Sequence, residues 1–90
     1  MQPDWPALGT GMEEDGLLDR AGGAIRSGRV PGARGLKRVW CGTSDGATCV
    51  ICELSIDHGD IEVQGFFRDP ARDFHFHVHC FNAWDTARFL

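Results

Sequence analysis

Four residues of this 90-residue chain have the types and spacing to hold a metal ion. Cys49 and Cys52 form one pair with two residues between them. His77 and Cys80 form a second, and residues 53–76 separate the pairs. Thiolate and imidazole are the ligands of tetrahedral zinc, and two short pairs on separate turns meet at one ion. The competing chemistry is disulfide formation, because Cys41 brings the cysteines to an even four. Disulfides require an oxidising compartment, and residues 1–11 carry neither the basic segment nor the apolar run of a secretory leader. No stretch approaches the roughly 18 apolar residues of a membrane span. The expectation is a cytoplasmic protein without a membrane, with metal preferred to disulfide.

Three thiolates and one imidazole fill the coordination shell. A catalytic zinc keeps a position open for water, so the expected cofactor is one structural Zn2+ and no catalytic residue is assigned. Which histidine ligates is open among three, since His75, His77 and His79 alternate. His77, three residues before Cys80, has the spacing to converge with it. His75 shares its strand face one repeat away, and His79 is adjacent to Cys80. Cys41 stands outside the quartet as an inert thiol, a substitute ligand or a redox-active group.

The elements that must position these residues are short. Residues 1–15 read as a flexible tail, with Thr10 or Asp15 as the N-cap of the first helix. Residues 16–39 read as a short amphipathic helix and a basic arm. Leu17, Leu18, Ala21, Ala24 and Ile25 recur at helical spacing, and Ser27-Gly28 and Pro31 are stop signals. Packing on the metal domain is the expected role of Leu17, Leu18 and Ile25. Residues 31–48 read as a loop anchored by Val39 and a buried Trp40. A zinc-binding domain then spans 40–90. Its strand carries Ile61, Val63 and Phe67, a turn comes at 69–73, and Phe74, Phe76 and Val78 make a second strand, giving a hairpin. Cys80, Ala83, Trp84, Ala87 and Leu90 lie on one face of a last helix.

A cysteine knuckle, a hairpin and a helix opened by the second ligand pair resemble the treble-clef zinc fingers. The ligand set and spacer look like the first zinc site of a LIM domain, over residues 47–90. Only one quartet is present, so a LIM domain's paired-module peptide surface is not implied. Residues 40–84 also resemble a set of small bacterial zinc-finger proteins that end in Phe76, His77, Cys80, Phe81, Ala83 and Trp84. Cys41 departs from that pattern, where glycine is expected. The resemblance implies zinc and a small α+β fold, a treble clef preceded by a short N-terminal helix. It implies no activity.

Charge is unevenly spread beneath a net −4. Residues 1–19 carry acids and no base; Arg20, Arg26, Arg29, Arg34, Lys37 and Arg38 come next with no acid among them; residues 40–90 are acidic. Such asymmetry marks either an arm folded on its own acidic domain or a contact with a partner. Arginine outnumbers lysine eight to one, a bias of GC-rich bacterial genomes. The expected function is a structural-zinc module that binds another protein. The alternative is nucleic-acid binding through the six basic residues. A redox sensor using Cys41, or a nuclease using Asp73, His75 and His79, has less support, because no second open metal constellation and no phosphate loop is visible. No small-molecule substrate is expected.

Overall fold

The computed structural model describes residues 6–32, 34–68 and 71–90, with side chains from residue 16 onward. Helix α1 spans Pro6–Arg26, strand β1 Leu36–Thr43, β2 Ile61–Phe67, β3 Arg72–His77, and helix α2 Val78–Ala87. The fold is α+β: two helices and one antiparallel sheet in the order β1-β2-β3. No helix among the described residues is long and apolar enough to cross a membrane.

Helix α1 begins inside the segment that sequence assigns to a tail, so Thr10 and Asp15 lie within the helix and not at its cap. Pro6 occupies the first turn, where its missing N–H leaves no bond unmade. Gly9, Gly11 and Gly16 hide this start, since each lowers helix propensity. The stop signals hold. The Arg29 N–H donates to the Ala24 carbonyl (2.9 Å) and the Gly28 N–H to the Ile25 carbonyl (3.1 Å), the crossed bonds of a Schellman turn. Gly28 sits at φ 82°, where a side chain would be strained. Ala21 and Ala24 are buried, with Leu17 and Ile25 packed beside them, and α1 lies against α2.

Strand β1 corrects the expectation of a loop over 31–48. It pairs along its length with β2, from Leu36 opposite Phe67 to Thr43 opposite Ile61, with a bulge between Leu36 and Arg38. The strand is exposed on both faces beyond Leu36 and Gly42, so it has no alternation for a sequence reading to detect. Trp40 is not buried: it is 48% exposed, and Val39 is 42% exposed. The Trp40 ring lies across Gly42 and fills the space that a Cβ there would need. Strands β2 and β3 form the expected hairpin, with Val63 opposite Phe76 and Glu62 opposite His77. Part of the 69–73 turn lies outside the described residues. Val78 opens α2 and does not extend β3, and Leu90 lies beyond the helix, exposed.

The core sits between α2 and the hairpin. Trp84 is fully buried and meets Phe67, Phe76 and Phe81 with ring centroids 5.4–5.8 Å apart. Aromatic pairs at such separations contribute about 0.5–1.5 kcal/mol each beyond area burial. The Trp84 indole N–H also donates to the Pro31 carbonyl at 2.8 Å, tying the segment after α1 to α2. Trp84→Ala is therefore expected to lower the stability of the metal-loaded protein by about 3–5 kcal/mol in urea denaturation. Trp84→Phe keeps a ring but loses the bond to Pro31, and should cost about 1–2 kcal/mol less than the alanine change.

Candidate metal centre

The first ligand pair lies in a miniature hairpin over residues 47–56. Thr48 bridges Ser55, the Ile56 N–H donates to the Ala47 carbonyl (2.7 Å), and the Cys49 N–H donates to the Leu54 carbonyl (2.9 Å). The turn closes when the Glu53 N–H donates to the Cys49 carbonyl (2.9 Å). Closure puts Glu53 at φ 66°, the one non-glycine residue with a positive φ among the described residues. That conformation costs about 1–2 kcal/mol for a residue with a Cβ. Two external contacts hold the knuckle. The Val50 N–H donates to the His75 carbonyl (2.9 Å), so the knuckle caps the outer edge of β3. The Arg29 guanidinium donates to the carbonyls of Val50 (3.0 Å) and Ile51 (3.1 Å). Ile51 and Ile56 anchor it in the core.

The second pair comes where β3 becomes α2. His77 is the N-cap residue of α2, extended at φ −61° and ψ 153°, and its side chain makes no capping bond. Its ring turns instead toward sulfur: Nδ1 lies 3.4 Å from Cys52 Sγ and 3.9 Å from Cys80 Sγ. Cys80 falls in the first turn of the helix, where the positive end of the macrodipole favours a thiolate.

The ligand atoms of Cys49, Cys52, His77 and Cys80 all lie within 4.8 Å of one another. Tetrahedral bonds of about 2.3 Å to sulfur and 2.0 Å to nitrogen place such atoms roughly 3.5–3.8 Å apart, so the cluster has the size for one ion. Its electrostatics agree. A hydrogen bond from the Cys80 thiol is the chief cause that lowers Cys49 to about 4, with backbone groups of Cys52, His77 and Ile51 helping and burial opposing. The same interaction pushes Cys80 far above the usual thiol range, with burial and the neighbouring Cys49 and Cys52 adding. The closeness of the two sulfurs thus shifts them in opposite directions, in a place where a dication would bind both.

The structure brings together the four residues that sequence proposed and sorts the three histidines. His75 Nδ1 lies 3.0 Å from Glu62 Oε1, and His79 is exposed. Cys41 is exposed on β1, outside the quartet. His58 is exposed, as its turn position implied. The six basic residues do not form one surface element. Arg20 and Arg26 are exposed on α1, Arg29 is used on the knuckle, and Arg34, Lys37 and Arg38 are exposed at the start of β1. Sequence reading missed two contributors. Glu62 is 5% exposed although it occupies the polar side of β2, and it stands opposite His77 in the strand register. Arg29 reaches carbonyls 21 and 22 residues away, which no local pattern reveals.

This geometry has three measurable consequences. Glu53→Gly relieves the turn and loses only an exposed 3.8 Å ion pair with Arg29, so it should raise stability by up to about 1 kcal/mol. Arg29→Ala should weaken metal retention against a competing chelator by about 1–2 kcal/mol while leaving the stoichiometry unchanged. Cysteine binds metal as the thiolate, and the Cys80 thiol is pushed above its usual range, so metal binding must expel a proton there. Affinity should therefore rise with pH, about tenfold per unit for each proton released, as measured by metal titration from about pH 6 to 8. Compared with protein-family models, with curated proteins and with solved structures, the chain finds no match, and the reading of the site rests on its geometry.

Proposed function

We propose that this chain is a structural-zinc module of the treble-clef kind, working as a protein-binding unit in a bacterial cytoplasm. The observation that carries the metal reading is the convergence of three sulfurs and one imidazole nitrogen within 4.8 Å. A donor set this rich in soft sulfur selects zinc over the hard cations. Knuckle, hairpin and helix succeed one another in treble-clef order. Four protein ligands leave no position for a substrate or an activated water, so the ion serves the fold and not a reaction. Zinc in such sites contributes an apparent 10–16 kcal/mol or so, comparable to the whole stability of a small domain. Partner binding is supported by what the fold leaves uncovered: Val39, Trp40 and Ile61 are each about half exposed around β1.

Nucleic-acid binding is the second reading, and one arrangement favours it. Arg34, Lys37 and Arg38 share one end of the sheet with Arg68 and Arg72, near Trp40 and Phe66. Against it, Arg29 is occupied by the knuckle, and residues 39–67 contain no Lys or Arg.

Elemental analysis should find one zinc per chain. Cys49→Ser or Cys80→Ser should abolish it, and Cys41→Ser should not. Chelation should remove far-UV structure and lower the thermal midpoint; an unchanged midpoint would refute the structural role. The two partner classes separate in a mobility shift with mixed DNA and RNA. Phosphate contact predicts binding that falls steeply with salt, whereas no shift at low salt eliminates nucleic acid.

A further inference from the structure

The sheet has two outer edges, and they differ. The edge of β3 is engaged by the knuckle at His75, whose carbonyl accepts from the Val50 N–H. The edge of β1 is open: β1 pairs only with β2, and neither helix approaches it among the described residues. Natural edge strands are blunted by lysine, bulges, proline or a covering segment. The first part of β1 obeys this rule, with a bulge at Leu36–Arg38 and with Lys37 and Arg38 exposed. The remainder, Val39 to Thr43, has no charge and no proline. Val39 and Ile61 extend the core face of the sheet past the reach of the helices, and Trp40 is half exposed on the other face.

The charges around this edge are ordered. Arg34, Lys37, Arg38, Arg68 and Arg72 are exposed at the end where Leu36 pairs with Phe67 and Phe67 with Arg72; the exposed Asp73 is beside them. At the other end, where Thr43 pairs with Ile61, Asp45, Asp57 and Asp60 are exposed. The two acidic turns are joined, since the Ser44 N–H donates to the Asp60 carbonyl at 2.7 Å. A second β1 laid antiparallel along the first sets the basic end of each copy beside the acidic end of the other. The strand is thus complementary to itself.

From the open edge and this ordered charge, we infer that β1 pairs antiparallel with β1 of a second copy of this chain, forming a two-fold dimer with one continuous six-stranded sheet. The pairing joins one β1 edge of each copy about a two-fold axis, so it closes at two. Pairing centred near Cys41 satisfies the free backbone groups of both edges, buries Val39 and part of Trp40, and sets Lys37 beside Asp45 of the other copy. The inference rests on the interaction-module reading and names its partner.

The test uses the full-length, zinc-loaded protein in analytical ultracentrifugation, with zinc content measured for every variant. The wild type should show a monomer–dimer equilibrium that weakens as salt screens the charges. Reversing the basic end (Lys37→Glu with Arg38→Glu) should weaken the homodimer about tenfold or more, and so should reversing the acidic end (Asp45→Lys with Asp60→Lys). Mixing the two reversed proteins should restore dimer, now as a heterodimer. A short bis-maleimide should join two wild-type copies through Cys41, while Cys41→Ser gives no product. A wild type that stays monomeric with zinc bound would overturn the dimer and leave the zinc module standing. So would a dimer indifferent to both charge reversals, or a zinc-bound monomer that shifts RNA or DNA. Loss of zinc from the wild type would count against the module itself.

Discussion

Three thiols crowded around one imidazole are the constraint on which this fold turns. Ionised without a cation they repel one another; fully protonated they lose the acceptor that holds Cys80 to Cys49. A dication relieves most of the conflict, bonding all four atoms and leaving one net negative charge. The sulfurs come from the knuckle and the first turn of α2, and the nitrogen comes from the last residue of β3. Resolving the local electrostatics therefore fixes the relative position of three elements. A chain this short has little other means of doing so, since a small core supplies only a marginal surplus over conformational entropy.

The contacts around the quartet serve the same end. Glu53 adopts a left-handed conformation that costs energy, and the turn it closes presents Cys49 and Cys52 on one side. Arg29 compensates from outside by satisfying the Val50 and Ile51 carbonyls. Trp84, one turn beyond Cys80 on α2, carries the helix into the aromatic core and bonds the segment that delivers Arg29. The start of the loop after α1 is therefore held at two points, by Arg29 on the knuckle and by Pro31 on α2. Helix α1 docks through Ala21 and Ala24, small residues that allow close approach but bury little area. Leu17 and Ile25 add to that contact from the same face.

How much of the molecule could be read from sequence depends on which signals are local. The quartet was legible because ligand chemistry restricts residue type and spacing together. Strands β2 and β3 and helix α2 were legible because each has one buried face, with Val63 and Phe67, Phe74 and Phe76, and Cys80 and Trp84 at the matching periods. Strand β1 was not, because an edge strand exposed on both faces has no period. Trp40 was misplaced for the same reason: its size suggests a core residue, yet its strand has no core on that side. Spacing from Cys80 favours His77 over His75 and His79, and the strand–helix junction turns its ring toward the sulfurs. Glu62 looks like a solvated strand residue and becomes buried only when β1 and His75 flank it.

Charge shows most clearly how topology rewrites a linear pattern. Along the chain, the basic residues from 20 to 38 look like one arm and residues 40–90 like one acidic domain. Folding divides the arm: Arg29 joins the knuckle, while Arg34, Lys37 and Arg38 meet Arg68 and Arg72, which belong to the acidic half of the sequence. An antiparallel hairpin returns its second strand to the level of its first, so residues far apart in sequence come to share one end of the sheet. The excess charge of each segment thereby becomes a gradient along the strands, basic where β1 begins and acidic where it ends. A segment's net charge predicts the sign of its partner only where the segment stays together in the fold. Here it does not, and a gradient along an open edge has a natural counterpart in the same edge reversed.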